Sequence, residues 1–143
     1  MLSSENETYV LLPILERYIP DILEQRKIYE LRTMRIPAPQ KALLYACGPK
    51  ATRKIVAMCG LSAGVPVTPD LQDDTIRGAC ITREEFDEYS YPPGKYPRVV
   101  YRHLIAMPRR LREPIALASL GIDYAPRSWR YVTADPDYIN LHI

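Results

Sequence analysis

The chain has 143 residues, 47% of them hydrophobic, and a formal net charge of +2. That length and balance suit one domain around one core, and the small charge excludes a global basic field. No window approaches 18 uninterrupted apolar residues, and the polar, acidic start at residues 1–7 lacks the pattern of a secretory signal, so neither a membrane span nor export is expected and the predicted compartment is the cytoplasm.

In chain order, residues 1–8 read as a flexible arm before a folded domain over 9–132. Tyr9-Val10-Leu11-Leu12 is a short apolar strand ended by Pro13. Leu15, Ile19, Ile22 and Leu23 recur at helical spacing, and Pro20 with Asp21 suits a first helical turn, which predicts a short helix over about 20–25. It delivers the chain to a strand over 27–32. Pro37 and Pro39 exclude a central strand there, so residues 33–40 are a linker. Two apolar strands follow, at 42–47 and 55–61, joined through Gly48-Pro49 and the basic residues Lys50, Arg53 and Lys54. The second is a continuous apolar run, as in strands covered on both faces.

Residues 66–80 form an excursion with a helical turn around 70–77. Thr82 and Glu85 make a capping box that opens a helix over 83–89, with Phe86 and Tyr89 facing the core. A long strand runs over 98–107 and ends at Pro108, leaving Arg109, Arg110 and Arg112 in a solvated loop. Pro114 starts a short helix that stops at Gly121. Trp129 and Tyr131 are assigned to the core that closes the barrel, and residues 133–143 to a polar tail. The sum is an α+β domain: a small, partly open β-barrel of five to six strands with short helices at the rim.

Charge is unevenly spread. Residues 70–88 hold seven acids against two arginines, a local −5 that leaves +7 elsewhere, and the chain has 14 arginines to 5 lysines. The acidic stretch is read as the solvent face of the two helices. The arginine bias suits phosphate and base edges. Cys47, Cys59 and Cys80 form no C-x-x-C pair, and His103 and His142 have no partner at ligand spacing, so free buried thiols are expected and no metal or cofactor. His103, inside a strand, reads as a hydrogen-bonded structural residue.

The stretch Lys27-Ile28-Tyr29-Glu30-Leu31-Arg32 concentrates charge among apolar residues. Strand alternation puts Glu30 and Arg32 on one face, roughly 6.5–7 Å apart at the backbone. Lys27 has the wrong parity and joins them only from the turn that launches the strand. A carboxylate between two cations can hold an arginine fork in a fixed pose; the same pattern is also that of a surface ion-pair ladder.

The run Gln25-Arg26-Lys27-Ile28-Tyr29-Glu30-Leu31-Arg32 resembles the G-x-K-x-x-E-x-R signature of ASCH domains, a branch of the PUA-like superfamily. The resemblance extends to Leu44-Tyr45-Ala46, the Gly48-Pro49 turn, Ile81-Thr82-Arg83-Glu84-Glu85-Phe86, Pro114-Ile115-Ala116-Leu117 and the closing Pro126-Arg127-Ser128-Trp129-Arg130-Tyr131. It implies a pseudo-barrel with a cleft beside the signature strand that meets RNA or a modified nucleoside, in a module tied to transcription or translation control. On that resemblance the ligand-binding residues are Lys27, Glu30 and Arg32, with Tyr45 stacking on a base and Arg127 and Arg130 on phosphate. Gln25 replaces the signature glycine, which permits a tight turn with positive φ. A related branch hydrolyses acetylated cytidine with a threonine nucleophile where this chain has Glu30, so that mechanism is excluded. The alternative that remains is a hydrolase, ribonuclease or amidohydrolase, with Lys27 or Glu30 moving protons. Opposite charges side by side hold both groups ionised, which favours binding over a poised base.

Overall fold

The computed structural model of the chain describes residues 5–143. Among them lie seven strands in one mixed sheet and four short α-helices. β1 (Glu7–Leu15) passes through a 3-10 turn into α1 (Ile19–Leu23) and β2 (Tyr29–Arg32). β3 (Gln40–Cys47) and β4 (Ile55–Leu61) follow, then β5 (Val65–Pro66), α2 (Gln72–Ala79) and α3 (Arg83–Ser90). The long β6 (Tyr101–Ile115), β7 (Arg130–Ala134) and α4 (Pro136–Asn140) complete the chain. The strand order is β2-β6-β4-β3-β1-β7, with β5 beside the start of β6. β1 and β3 run parallel and the other pairs antiparallel.

The α+β class and its curled sheet are as the sequence predicts, with seven strands in place of five or six. The main-chain ladder does not close, because β2 and β7 end it. The middle strands are apolar on both faces because each face has its own core. Val10, Leu12, Ile14, Ala42, Leu44 and Ala46 join Ile19, Ile22 and Ile36 in one cluster. Tyr9, Leu11, Leu43 and Tyr45 join Ile55, Leu111, Ile122 and Ile139 in the other. The period-2 alternation of a strand thus sorts neighbouring residues into different cores.

Four expectations need correction. Pro13 does not end β1. The β1–β7 register stops at Leu11 opposite Arg130, so Pro13 lies on an open edge where a missing N–H costs no ladder bond. Pro108 does not end β6 either. Met58 pairs with Arg109 and Gly60 with Ala106, so β6 bulges there, Met107 takes φ 50°, and Arg109, Arg110 and Arg112 continue the strand. Pro114 also lies within β6, and the short 3-10 turn is Leu117–Leu120, stopped by Gly121 at φ 72°. Finally, residues 133–143 are not a loose tail. Thr133 and Ala134 pair with Thr8 and Glu7, and the Arg112 N–H donates to the His142 carbonyl at 2.6 Å. Those same pairs take Glu7 and Thr8 out of the predicted arm; residues 1–4 of it lie outside the described residues.

No helix among the described residues is long and apolar enough to cross a membrane. The role of the C-terminal helix in the second core has a direct test. Ile139 is 1% exposed, and Ile139→Ala should lower the unfolding free energy by about 2–4 kcal/mol in urea titration. A loss under about 0.5 kcal/mol would mean the helix contributes no packing.

Candidate functional site

The site begins with how α1 ends. The Gln25 N–H donates to the Ile22 carbonyl and the Arg26 N–H to the Asp21 carbonyl, while Gln25 takes φ 61°. This is a Schellman stop, in which glycine is the usual left-handed residue. Gln25 therefore adopts the glycine turn of the signature, at the cost of an L-residue in the left-handed region. The turn releases the chain so that Lys27 lies ahead of β2, as strand parity requires, and its side chain swings toward Glu30.

Glu30 is the centre. Its Oε2 accepts from Arg32 Nε at 2.9 Å and Arg32 Nη2 at 2.7 Å, and Oε1 lies 3.7 Å from Lys27 Nζ. The three side chains are 9%, 14% and 5% exposed for Glu30, Arg32 and Lys27. Each cation is also tied elsewhere. Lys27 Nζ donates to the Ala79 carbonyl at 2.7 Å and sits 4.8 Å from the Tyr18 ring centroid. Ala79 is the last residue of α2, so an ammonium meets the negative end of that helix. Arg32 Nη2 donates to the Pro13 carbonyl at 2.6 Å.

That last bond crosses the gap between β2 and the open edge of β1. A second side-chain bond joins the segment after β2 to the one before β7, from Trp129 Nε1 to the Met34 carbonyl at 2.8 Å. Side chains, rather than a ladder, thus close the barrel here, and Trp129 serves the closing role predicted for it. Tyr131 does not: it is 44% exposed and meets Trp129 edge-to-face at 5.0 Å. The free edge of β2 is covered by the Tyr89 hydroxyl, which accepts from the Thr33 N–H at 3.1 Å and donates to the Leu31 carbonyl at 3.4 Å.

A cavity of about 420 Å³ opens over this gap. Lys27, Glu30, Arg32 and Arg127 line it together with Leu15, Leu31, Ile81, Tyr18 and Tyr89. Two of the predicted ligand contacts lie elsewhere. Tyr45, 8% exposed, packs in the second core, because its odd strand position turns it away from the cleft side. Arg130 stacks over Tyr124 at 4.6 Å and lies 3.7 Å from Asp123, outside the cavity wall. The aromatic walls are instead Tyr18 and Tyr89. Tyr89, expected from its place on the capped helix to face the core, stands at the cavity wall, and nothing in the spacing of Tyr18 pointed to the cleft.

The floor is held by groups too tight to substitute freely. A methyl at Gly78 would lie 2.5 Å from Tyr29 Cδ2, and the Ile28 N–H donates to the Gly78 carbonyl, so α2 rides directly on the start of β2. His103 is fully buried opposite Glu30 in the register. Its Nε2 accepts from the Ile36 N–H at 3.0 Å, so Nδ1 carries the proton and donates to the Glu30 carbonyl at 3.2 Å. Burial pushes its pKa below the ordinary value, and the ring is a neutral brace, the structural residue the sequence predicts. Burial likewise raises the Cys47 thiol at the cleft wall and drives the Cys59 thiol up to about 12. All three cysteines are free. Among the described residues no three His, Cys, Asp or Glu side chains converge as metal ligands would.

A curled mixed sheet whose gap is bridged by an arginine, with a cavity over the bridge, defines a small, partly open pseudo-barrel. Solved structures of ASCH from Zymomonas mobilis share it. A serine-to-alanine variant of that protein aligns with a TM-score of 0.76 at 18% identity, over 94% of this chain and 96% of the other. A tyrosine-to-phenylalanine variant gives 0.73 at 18%, over 93% and 96%, and the unsubstituted protein 0.71 at 18%, over 93% of both. The chain has the ASCH-domain fold. No protein-family model and no curated protein matches its sequence.

Two predictions follow from the site's construction. Gln25→Gly should raise the unfolding free energy by about 1 kcal/mol, read as a higher urea midpoint, because it relieves the left-handed penalty. A loss of stability would show that the Gln25 side chain contributes something the turn geometry does not. For His103, whose folded pKa lies below its ordinary 6.5, the unfolded chain binds the extra proton. Stability is then complete above about 6.5 and falls as the pH drops below it. His103→Gln should flatten that slope below about pH 6.5 in urea unfolding.

Proposed function

We propose that the chain is an RNA-binding module whose cleft takes one nucleotide of a single strand, or a modified nucleoside. The observation that carries this reading is the cleft itself: a carboxylate fixed in position by an arginine fork, between aromatic and apolar walls. Small-ligand sites are typically apolar concavities with a few well-placed polar groups and volumes of roughly 300–1,000 Å³, and the cavity's 420 Å³ lies in that range.

The polar groups left over define the chemistry. Among the described residues Glu30 Oε1 has Lys27 at 3.7 Å and no closer partner, so it remains an acceptor for an exocyclic amine or a ribose hydroxyl. Arg32 spends Nε and Nη2 on protein oxygens, and Nη1 remains a donor beside that acceptor. An acceptor next to a donor matches the Watson–Crick edge of a base. Tyr18 and Tyr89 supply flat surface at the wall, and exposed Arg127 supplies an uncommitted cation for the phosphate. Binding is favoured over proton shuttling because Lys27 is engaged by Ala79 and Tyr18 and Glu30 by Arg32. Regulation of transcription or translation in the cytoplasm is the setting such a ligand implies.

Fluorescence anisotropy with short unstructured RNAs and nucleoside monophosphates tests the reading. Arg32→Lys keeps the charge but loses the fork, and should weaken binding by about tenfold or more. Arg127→Ala should weaken phosphorylated ligands several-fold more than unphosphorylated ones. Unchanged affinity in both variants, with melting temperatures within a few degrees of the parent, would remove the cleft as the site. Turnover of labelled RNA or acylated cytidine by the parent protein would move the reading to a hydrolase.

A further inference from the structure

The cations of this chain divide into two kinds. Arg26, Arg83, Arg102 and Arg130 each have a carboxylate partner. Lys50, Arg53, Lys54, Arg109 and Arg110 are all exposed and form no ion pair among the described residues. Arg35, Arg77, Lys95, Arg98, Arg112 and Arg127 are likewise exposed and outside any ion pair among the described residues, while these five lie on adjoining elements. The first three occupy the loop from β3 to β4, and the other two lie on β6 where it pairs with β4, Arg110 opposite Ala57 and Arg109 opposite Met58.

The group adjoins the cleft. Cys47, in the cleft wall, feels the positive charge of both Arg32 and Arg53. Arg110 acts in the same way on Glu16, whose carboxylate accepts from the Thr52 N–H at 2.6 Å and from the Thr52 hydroxyl at 3.0 Å. Glu16 is therefore committed to holding the loop, and the other acid of this stretch, Glu113, sits further along β6. The loop is also tied across its base, with the Arg53 N–H on the Ala46 carbonyl and the Ala46 N–H on the Lys54 carbonyl. Its cations are thus held on a fixed backbone, which lowers the ordering cost of binding.

We infer that the cleft is one end of a longer RNA path, with the sugar–phosphate backbone running from it over the β3–β4 loop to Arg110, whose neighbour Arg109 takes the opposite face of the sheet. This rests on the cleft reading and extends it from a nucleotide to a polymer. A nucleoside has no charge for these cations to meet, and one phosphate meets one or two of them. A strand offers phosphates in series, which position the chain while the cleft reads the base.

The test is a salt titration of binding to an unstructured RNA of about ten nucleotides, beside a nucleoside monophosphate and a length-matched polyglutamate. The variant is Arg53→Asn/Lys54→Gln/Arg110→Gln; asparagine is chosen because position 53 has φ 56°. It should lower the slope of log affinity against log salt by about 2, since each phosphate contact on a single strand contributes about 0.7. At low salt the oligonucleotide should bind about tenfold or more weakly, with the monophosphate unaffected. An unchanged oligonucleotide slope, while Arg32→Lys still weakens both ligands, overturns the path and leaves the cleft reading standing. A lowered slope with no monophosphate binding leaves the cations as a phosphate track but overturns the cleft as its end. Polyglutamate competing as well as RNA overturns it in favour of an acidic protein partner. Absence of any binding overturns both.

Discussion

The open side of the sheet is held by side chains, Arg32 first among them. Arg32 leaves the last residue of β2, grips Glu30 with two nitrogens and reaches the Pro13 carbonyl on the far edge with one of them. An open sheet edge exposes unpaired backbone groups, and proteins normally pair, cover or charge it. Here the edge is bridged in a way that leaves space above the bridge. A continued ladder between β1 and β2 would fill that space with backbone. The gap is thus both the weak point of the barrel and the source of its cavity, and the ion cluster answers for both. That dual role explains why an ion pair and an open cavity need not be competing accounts of the same residues.

The charge cluster draws its geometry from three separate parts of the chain. α1 ends in a left-handed turn at Gln25 that throws Lys27 toward Glu30. α2 offers its last carbonyl to the Lys27 ammonium. β6 supplies His103, a neutral ring wedged between the Glu30 carbonyl and the Ile36 amide. Burying three charged groups is expensive unless each is satisfied. Satisfying them from distant segments fixes the relative positions of those segments, so the cluster acts as a register mark for the elements it joins.

How much of this was legible in the sequence depended on how local the cause was. The Thr82–Glu85 capping box, the αL stop at Gly121 and the shared face of Glu30 and Arg32 follow from short-range geometry and read directly. The strand limits did not. Pro13 and Pro108 looked like terminators because a proline breaks a ladder, and whether a ladder exists on that side is a tertiary fact. Tyr45 was assigned to the cleft by resemblance, yet one step in strand parity turns it into the opposite core. Tyr18 is the converse case: it reaches the site through the fold of α1, and no spacing along the chain announces it. The C-terminal helix was missed because its polar sequence hides one deeply buried residue, Ile139.

The contact between Lys27 and the end of α2 has a consequence for how this protein tolerates changes in length. Each residue added to a helix turns its end by about 100° and advances it by about 1.5 Å. One residue inserted within α2 would therefore swing the Ala79 carbonyl away from the ammonium and drive Gly78 off Tyr29, where no larger residue fits. The segment ahead of α2 is fixed as well, by the pairing of β5 with β6, the Val67 N–H on the Val100 carbonyl and a 3-10 turn over Pro69–Leu71. Among proteins that build a cleft this way, the helix should stay the same number of residues long.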